Sequence, residues 1–409
     1  MAKKTVADIN VKGKKVLMRV DFNVPLDENR NITSDTRIVA ALPTIKTILD
    51  EGGSVILMSH LGRPDGEKKP EFSMAPVAKK LGELLGKNVI FANDCIGPDV
   101  KKQATALKPG DVMLLENVRF YKEEEIKDKK AAEDPNLRKA KDDFAKQIAA
   151  LGDTYVDDAF GTAHRDNASM YTVPDMMKGK DRVIGFLVEK ELKFLGDALN
   201  NPKKPFVAIL GGAKVSDKLK VIENLMKKVD KILIGGAMAY TFFKAKGLTV
   251  GKSLCESDFV DKAKELMSKG GCELVLPVDT VISQEIKAGA ANKVVAGNIP
   301  DGWQGVDIGP ETIKLFVRKL EGAKTVVWNG PMGVFEIPPF DTGTKAVAEA
   351  VAKATDGGAI SVIGGGDSAS AIKKMKLTKR VSHVSTGGGA SIEFMEGKKF
   401  KCLEILDEK

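Results

Sequence analysis

Short apolar runs alternate along this chain with longer stretches in which apolar residues recur at helical spacing. The short runs are typical of buried strands, and the longer pattern is typical of amphipathic helices. Strands that alternate with helices from end to end predict parallel sheets flanked by helices. The strands predicted in the first half fall near 15–20, 54–58, 88–91, 112–115 and 154–156. Those predicted in the second half fall near 206–210, 231–234, 273–276, 325–328, 359–363 and 381–385.

The chain has 409 residues, too many for one hydrophobic core and suited to two large domains. Val188, Leu192, Leu195 and Leu199 form one apolar stripe, which predicts an amphipathic helix that ends before Asn201-Pro202. We interpret this helix as a stiff connector that suits closure on substrates. The fold class we predict is α/β: two Rossmann-like domains, each a parallel sheet flanked by helices, joined by an inter-domain helix. The predicted limits are 1–187, 188–201 for the helix, 202–388, and a final segment at 389–409.

The residues that follow the strands differ between the two halves. Most strands of the first half are followed by a cation, as in Ser59-His60-Leu61-Gly62-Arg63, whereas most of the second half are followed by glycine pairs, as in Gly211-Gly212. Ligands of open α/β sheets bind outside the carboxyl ends of the strands. Cations suit a small anionic molecule, and glycines let the backbone approach phosphates. Two unlike anions in two lobes predict phosphoryl transfer.

The first-half cations comprise four arginines and two histidines: Arg37, Arg63, Arg119, Arg165, His60 and His164. Guanidinium groups bind phosphate and carboxylate through paired hydrogen bonds. A single arginine after a strand is more often a solvated or structural ion pair, but this many together predict an anion site. Asp21 and Asn23 add hydroxyl-binding capacity, with turn formation as an equal alternative. His383 lies inside a predicted strand and is expected to be a core residue.

The second-half glycines precede predicted helices, whose N-termini attract phosphate. Lys214 and Lys218 are four residues apart, which predicts that both ammonium groups lie on one helix face over a phosphate site. Asp367 follows a glycine run, so it is predicted to bind Mg²⁺ carried by nucleotide phosphates, with helix N-capping as the alternative. A second glycine run at 387–389 repeats this arrangement. The stretch 328–336 suits a nucleoside, or is simply a long loop.

Composition excludes several other classes of function. The net charge is +8, yet the lysines are scattered beside acids and aromatics are only 6%, which argues against nucleic-acid binding. No apolar segment approaches the roughly 20 residues that span a bilayer. The four cysteines show no CxxC spacing and no signal peptide opens the chain, so we expect a reduced, cytoplasmic protein. The charged stretch 122–133 is expected to be solvated, leading into a helix that starts at Asp134-Pro135.

One rival function stays open on these patterns. Gly364, Gly366 and Ala369 satisfy the relaxed dinucleotide pattern G-x-G-x-x-A, which is typical of nicotinamide-dependent dehydrogenases. The acid expected about 20 residues further on would fall near Thr386, where there is none. The segment Gly251-Lys252-Ser253 resembles the end of a Walker A loop, but its first glycine is displaced and no strand precedes it. We discard that segment as a phosphate site.

From Val16 to about Glu396 the chain resembles the phosphoglycerate kinase family, in blocks that stand in that family's order. The blocks are RVDFNVP at 19–25, SHLGRP at 59–64, LLENVRF at 114–120, DAFGTAHR at 158–165, GGAKVSDK at 211–218, WNGPMGVFE at 328–336, GGGDS at 364–368 and STGGGAS at 385–391. The resemblance implies reversible phosphoryl transfer between 1,3-bisphosphoglycerate and ADP, giving 3-phosphoglycerate and Mg-ATP, in glycolysis and gluconeogenesis. It also implies a hinge-bending monomer whose C-terminal segment returns to the N-terminal domain.

The resemblance implies site residues by motif. The 3-phosphoglycerate ligands would be Asp21, Asn23, Arg37, His60, Leu61, Gly62, Arg63, Arg119 and Arg165. The nucleotide ligands would be Lys218, Gly235, Gly236, Gly305, Glu336, Gly365, Gly366, Asp367 and Ser368, with Asp367 meeting Mg²⁺ through the nucleotide. The catalytic residues would be Arg37, Lys214 and Gly388. Gly235, Gly236 and a turn at Gly305 would border the adenine.

The reaction needs no general base, because a carboxylate acceptor is already deprotonated near neutral pH. Catalysis then reduces to in-line positioning and charge stabilisation, with Arg37 and Lys214 meeting when the lobes close. Two positions depart from the family pattern: Asp157 replaces a usual asparagine, and Asp166-Asn167 replace a usual Ala-His. The Asp166 charge is expected to weaken the anion site locally.

Overall fold

The computed structural model describes residues 2–409, which form two compact units. The first unit runs up to Glu191 and includes Lys399–Lys409, and the second unit is Leu192–Lys398. The division falls inside one helix, Phe186–Asn200, which corresponds to the connector helix predicted from its apolar stripe. The domain limits that we derived from the sequence stay predictions.

The first unit is built on a parallel sheet of six strands. In chain order they are β1 (Lys15–Val20), β2 (Ser54–Met58), β3 (Val89–Phe91), β4 (Val112–Leu114), β5 (Thr154–Asp158) and β6 (Arg182–Ile184). Their order across the sheet is β3-β4-β2-β1-β5-β6. All five predicted strands are present with small changes at their ends, and β6 is a strand that we did not predict.

Seven helices of the first half flank this sheet in the described part of the chain. They are α1 (Thr36–Asp50), α2 (Ala75–Leu85), α3 (Pro98–Ala106), α4 (Asp128–Glu133), α5 (Pro135–Ala149), α6 (Val173–Met176) and α7 (Phe186–Asn200). Val16, Met18 and Val20 alternate along β1 and are fully buried against Ile38 and Ile45 of α1. Burial of each such side chain contributes roughly 1.5–3 kcal/mol, so this interface holds the strand ends in place.

A second parallel sheet of six strands forms the second unit. Its strands are β7 (Phe206–Leu210), β8 (Lys231–Ile234), β9 (Glu273–Val275), β13 (Thr325–Asn329), β14 (Ile360–Gly364) and β15 (His383–Val384), in the spatial order β15-β14-β13-β7-β8-β9. Trp328 of β13 is fully buried in a core with Val207, Ile209, Val347 and Val351. The prediction of an α/β fold with two parallel sheets flanked by helices is confirmed.

The second unit also contains an antiparallel sheet, which we did not predict. Its strands are β10 (Asp279–Ser283), β11 (Asn292–Ala296) and β12 (Gln304–Ile308), in the order β11-β10-β12. The edge strand β11 is mostly exposed, so its sequence lacks the continuous apolar run that marks a strand buried on both faces. Gly305 lies within β12, where it pairs with Ile282 of β10. The prediction of a turn at Gly305 is therefore wrong.

The remaining helices are α8 (Leu219–Leu225), α9 (Met238–Ala245), α10 (Val260–Ser268), α11 (Pro310–Leu320), α12 (Thr342–Asp356), α13 (Gly366–Lys374), α14 (Gly389–Met395) and α15 (Lys401–Glu404). The last of these belongs to the first unit, where the Asp407 carboxylate accepts the backbone N–H of Arg182 at 3.0 Å. Helix α5 begins after Asp134 as predicted, because that carboxylate caps the N–H groups of Asn136 and Leu137. Within residues 2–409, no helix is long and apolar enough to cross a membrane.

Candidate active site

Each parallel sheet has one point at which its strand order reverses. In the first sheet β1 lies between β2 and β5, and in the second sheet β7 lies between β8 and β13. Ligands of open α/β sheets bind outside the carboxyl ends of the strands at such a switch point. The segments that leave β1, β5, β7 and β13 there carry many of the predicted site residues. The topology therefore supports one candidate site in each unit.

Asp21 and Asn23 follow β1, where the Asp21 carboxylate accepts the Asn23 backbone N–H at 3.3 Å, so the turn-forming role is present together with tertiary contacts. The Asp21 carboxylate pairs with Arg37 of α1 at 2.6 Å. The Asn23 side-chain oxygen accepts the backbone N–H of Gly62 at 2.9 Å. Asp21 thus orients the Arg37 guanidinium, and Asn23 holds the loop that follows β2. Both side chains organise groups that the sequence analysis assigned to substrate.

Arg119 is a nearly buried cation in a loop held by Asn117. The Asn117 amide donates to the carbonyl oxygens of Leu61 and Phe72, and its oxygen accepts the Arg119 backbone N–H. The Arg119 side chain is 4% exposed and donates from Nη1 to the Gly62 carbonyl oxygen at 2.9 Å. Its Nε lies 3.1 Å from Glu125 Oε1, but Nε has no hydrogen bond of acceptable geometry. A buried guanidinium with a spare donor suits an anionic ligand.

His60 is a buried histidine on which the charges of several arginines of the first unit act. It is 4% exposed, and burial, followed by the charges of Arg19, Arg119, Arg165 and Arg37, holds its pKa well below the ordinary value. The structure therefore gathers three of the four predicted arginines around His60. Arg63, the fourth predicted arginine, is exposed.

Arg19 is a cation near the end of β1 to which we assigned no site role, and the structure places it beside His60. Its side chain is fully buried and contacts His60 Nδ1 through Nη2 at 3.3 Å. The sequence contains a feature that could have indicated this contact: Arg19 is a charged residue within the otherwise apolar part of the strand Lys15–Val20. Charged residues are almost never fully buried unless they are paired, so this position indicates a specific partner.

The charged stretch 122–133 is not simply solvated, which corrects our expectation. Glu124 is fully buried, and its carboxylate accepts hydrogen bonds from the Ser169 backbone N–H at 2.8 Å and the Ser169 hydroxyl at 2.6 Å. The Asp166 carboxylate accepts the Asp128 N–H at 2.9 Å, at the start of α4. Lys141 donates both to Asp128 and to the Asp166 carbonyl oxygen. Asp166 therefore anchors the stretch 122–133. This structural role explains why a carboxylate stands at position 166 without invoking any contact between Asp166 and an anionic ligand.

The second unit has a cavity of about 340 Å³ at its switch point. It is lined by residues 211–214, 217–218, 329–330 and 365–368 together with Ile392. Lys218 donates from Nζ to the Asn329 side-chain oxygen at this cavity. Burial lowers the Lys218 pKa, against the opposing effect of the Asp217, Asp367 and Glu396 carboxylates. A cation beside glycine-rich backbone can neutralise phosphate oxygens.

Lys214 and Lys218 do not share a helix face, and that prediction is wrong. Helix α8 begins only at Leu219, so both lysines lie in the loop between β7 and α8. The loop is held instead by Glu256, whose carboxylate accepts the Ser216 N–H and hydroxyl at 3.0 and 2.6 Å. Both lysines nevertheless line the cavity, and Lys214 is exposed.

The segment after β14 is organised by backbone geometry. Gly365 has φ +89°, and a Cβ there would lie 2.6 Å from Asn329 Nδ2. Ser368 is buried and accepts the Gly330 N–H at 2.6 Å, which ties the segment to the end of β13. The N-cap of α13 is Gly365, so the alternative that Asp367 caps this helix is wrong. Asp367 is exposed in the first turn beside the cavity, where a lone carboxylate fits Mg²⁺ carried by phosphates.

Several predicted nucleotide glycines are explained by close packing of the protein itself. A Cβ on Gly236 would lie 2.5 Å from the Gly212 backbone nitrogen, and one on Gly235 would lie 2.5 Å from the Met332 sulfur. A Cβ on Gly305 would lie 2.0 Å from the Tyr240 hydroxyl oxygen. A Cβ on Gly366 or Gly388, by contrast, would have no atom within 4 Å. Open backbone surface therefore occurs where α13 and α14 begin and also at Gly212 beside the cavity.

Glu336 lies in the exposed part of the loop after β13. Its backbone carbonyl oxygen accepts a hydrogen bond from Lys374 Nζ at 3.3 Å. His383 is buried in β15 and stacks on Phe194 with ring centroids 5.1 Å apart, in agreement with a core role.

Among residues 2–409, no cluster of three histidine, cysteine or acidic side chains is arranged to hold a metal.

Known proteins resemble this chain along its whole length. Residues 6–398 match the family described as phosphoglycerate kinase. The phosphoglycerate kinase of Rhodopirellula baltica is 56% identical over 100% of both chains. That of Thermosipho africanus is 55% identical, over 100% of this chain and 99% of the relative. The solved structure of phosphoglycerate kinase from Coxiella burnetii superposes with a TM-score of 0.85 at 40% identity, covering 98% of each chain. The chain therefore belongs to the phosphoglycerate kinase family and is a phosphotransferase.

Proposed function

We propose that the protein transfers a phosphoryl group reversibly between 1,3-bisphosphoglycerate and ADP, giving 3-phosphoglycerate and ATP. The observation that carries this proposal is the convergence of Arg37, Arg119 and Arg165 on the buried His60 of the first unit. A phosphorylated carboxylic acid is small and densely anionic, and such a cluster of guanidinium groups complements it. The glycine-rich cavity of the second unit supports a nucleotide in the same way.

The first unit would hold 3-phosphoglycerate. Arg119 contributes its spare Nε donor, and Arg37 contributes a guanidinium oriented by Asp21. Arg63 and Arg165 would complete the anion site, with Asn23 near the substrate hydroxyl. Leu61 and Gly62 position the loop, since their carbonyl oxygens accept hydrogen bonds from Asn117 and Arg119.

The second unit would hold ADP or ATP through Lys218, Gly366, Asp367 and the other nucleotide residues named in the sequence analysis. Magnesium bound to the nucleotide phosphates would neutralise negative charge that develops during transfer, with Asp367 as its protein ligand. Lys214 is exposed beside the cavity and would follow the phosphoryl group as it moves. Gly388 has φ +50° and open space around it, so its backbone could approach that group.

The chemical step requires no protein base. A terminal oxygen of ADP attacks the phosphorus of the acyl phosphate, the bond from phosphorus to the carboxyl oxygen breaks, and 3-phosphoglycerate leaves as a carboxylate. No proton is transferred, because a carboxylate is ionised near neutral pH. The residues act by orientation and by stabilising charge, with Arg37 and Lys214 as the principal cations. We propose that the units close on the substrates to assemble this set and exclude water.

We also propose that the protein is a cytoplasmic monomer. The four cysteines, Cys95, Cys255, Cys272 and Cys402, are free thiols, as is usual for a reducing compartment. Gel filtration combined with light scattering should give a mass near 44.0 kDa. A mass of twice that value would show a dimer and remove the monomer proposal.

A coupled assay tests the reaction. Purified protein with ATP, Mg²⁺ and 3-phosphoglycerate should support NADH oxidation by glyceraldehyde-3-phosphate dehydrogenase. Absence of oxidation above the background without enzyme would refute the proposed function.

Small-angle scattering with both substrates should show compaction relative to the free protein, and an unchanged radius of gyration would refute closure.

Lys214→Ala in the same assay tests the role of this lysine. It should lower kcat by about a hundredfold or more while KM changes little, because a cation that acts mainly on the transition state contributes to kcat. Lys220→Ala, at an exposed position of α8, is the matched control and should keep wild-type turnover. Equal kcat values for the two variants would exclude Lys214 from the chemical step.

A further inference from the structure

Arg19 is fully buried, and each part of its guanidinium has a partner within the first unit. Nε donates to the Ser169 hydroxyl oxygen at 2.8 Å, and Nη1 donates to the carbonyl oxygen of Val20. Nη2 lies 3.3 Å from His60 Nδ1. The side chain therefore bridges the end of its own strand, the Ser169 segment and His60.

The contact with His60 determines which ring nitrogen carries the proton. Arginine has five N–H donors, has no acceptor and does not deprotonate in proteins. The Nδ1 atom of His60 can form this contact only as an acceptor, so it carries no proton. A neutral imidazole with an unprotonated Nδ1 has its proton on Nε2. Within residues 2–409, no hydrogen bond in the structure engages Nε2, which leaves that donor available.

Two buried carboxyl groups act on the charge of Arg19: Asp157 lies opposite it on β5, and Glu124 of the stretch 122–133 is linked to it through Ser169. The Ser169 hydroxyl accepts from Arg19 and donates to Glu124 Oε1 at 2.6 Å. Ser169 lies in a π-helical turn, Ala168–Thr172, and π-bulges occur frequently at functional sites. Glu124 is fully buried, and the Asn167 amide also donates to it at 3.3 Å. A buried carboxylate, a hydroxyl, a guanidinium and an imidazole thus form one hydrogen-bonded chain.

We propose that Arg19, held by Ser169 and Glu124, is a positioning residue that keeps His60 as the neutral Nε2–H tautomer, so that Nε2 donates to the anionic substrate. The use of this donor rests on the proposed function, whereas the tautomer itself does not. The four arginine charges that face the ring are Arg19, Arg37, Arg119 and Arg165, and all of them disfavour an imidazolium. His60 would therefore supply a directional hydrogen bond in a site whose positive charge comes from the arginines. Burial of the ring acts in the same direction as these charges.

Nitrogen NMR of the free protein tests the tautomer directly. The chain contains only three histidines, so ¹⁵N-histidine labelling yields three ring systems, and His60→Gln identifies the resonances of His60. We expect an unprotonated Nδ1 and a protonated Nε2 from pH 5.5 to 8, with no titration in this range. A proton on Nδ1, or a ring that titrates near pH 6.5, would overturn the proposal. His164 and His383 serve as internal references in the same spectra.

Two substitutions of His60 test the use of the Nε2 donor. The amide nitrogen of glutamine occupies nearly the position of imidazole Nε2, whereas that of asparagine occupies nearly the position of Nδ1. We expect KM for 3-phosphoglycerate to be about tenfold higher in His60→Asn than in His60→Gln, with a smaller difference in kcat. Equal increases in both variants would overturn the assigned donor. Wild-type KM in both would remove His60 from the substrate site, which is a failure of the proposed function that leaves the NMR result intact.

Arg19→Lys tests the positioning role. Lysine keeps the charge but lacks the planar group that bonds Ser169 and His60 together. The NMR spectrum of this variant should show a changed Nδ1 environment or a mixture of tautomers, and KM for 3-phosphoglycerate should rise severalfold. Arg182→Lys is the matched control, because Arg182 is a largely buried arginine of the same unit that bonds Asp407. An unchanged His60 spectrum in folded Arg19→Lys would overturn the role of Arg19.

Discussion

Among individual residues, Arg119 makes the strongest case for a ligand, because it combines burial with a donor that lacks a hydrogen-bond partner. Burial lowers the pKa of Arg119, with Glu125 opposing and Arg165 and Arg19 adding to the effect. Arg119→Ala should raise KM for 3-phosphoglycerate by about tenfold or more and change kcat less, since a charge-assisted hydrogen bond contributes roughly 1.5–3 kcal/mol. Steady-state kinetics in the coupled assay measures both constants.

The control for Arg119 is Arg138→Ala, which removes a surface arginine of α5 that pairs weakly with Asp128 and Asp142. Its KM should equal that of the wild type. Circular dichroism should show that Arg119→Ala is folded. A wild-type KM in folded Arg119→Ala would contradict the assignment.

Gly365 and Gly366 are neighbours that should respond differently to a methyl group. Gly366→Ala adds a Cβ in open space at ordinary φ, so thermal stability should be unchanged while KM for ADP rises severalfold if phosphate occupies that space. Gly365→Ala places a Cβ at φ +89° against Asn329, and it should lower the free energy of unfolding by about 1–2 kcal/mol. Calorimetry and ADP kinetics on both variants check this. Wild-type KM for ADP in Gly366→Ala would place the phosphates elsewhere.

Among the elements, the short helical turn Lys122–Glu125 holds Ser169 and, through it, Arg19 at the proposed anion site. Glu124→Ala removes the buried acceptor of the Ser169 hydroxyl and N–H, and Ser169 in turn holds Arg19, so the free energy of unfolding should fall by about 2 kcal/mol. Glu123→Ala is the matched control on the same turn, because Glu123 is partly exposed, and it should change stability by less than about 0.5 kcal/mol. Urea denaturation measures both, and equal stabilities would show that Glu124 has no such role.

Some helices and strands can be predicted from the sequence more reliably than others. Strands such as Phe206–Leu210 are buried on both faces, so their continuous apolar runs predict them to the residue. The antiparallel strands β10 to β12 escaped prediction because none of them is a continuous apolar run: β11 is mostly exposed, whereas β10 and β12 carry buried polar residues such as Asp279 and Asp307. The loop around Lys214 was mistaken for a helix because i, i+4 spacing alone does not distinguish a helix from a turn. Its conformation depends on Glu256, which lies 40 residues away in the sequence.

At the scale of the whole molecule, three buried carboxyl groups should make stability fall as pH rises. Burial raises the pKa of Asp157 to about 6, of Asp158 to about 7 and of Asp307 to about 8. The folded state retains protons that the unfolded state has already released. The contribution of each carboxyl group to the free energy of unfolding is therefore fully present below its ordinary pKa of 3.8. It is lost as pH rises through the raised value, by up to about 1.4 kcal/mol per pH unit.

Asp307 offers a clean test, because the two tryptophans, Trp303 and Trp328, both lie in its unit and report its unfolding by fluorescence. Between pH 5 and 7, the wild type should lose about 1 kcal/mol per pH unit relative to Asp307→Asn, which cannot ionise. Asp301→Asn, at an exposed position, should follow the wild-type curve. Parallel curves for Asp307→Asn and the wild type would contradict the raised pKa of Asp307.

The α/β class, most of the parallel strands and most residues of the candidate sites were predictable from the sequence alone. Apolar runs, glycines and arginines at strand ends are local signals, and burial and ligand chemistry impose them directly on the residue types. The partners of the buried charges became known from the three-dimensional structure: Arg19 contacts His60, Glu124 accepts from Ser169, and Asp166 accepts the N–H at the start of α4. These contacts join residues far apart in the chain, and buried charges require partners that spacing cannot reveal.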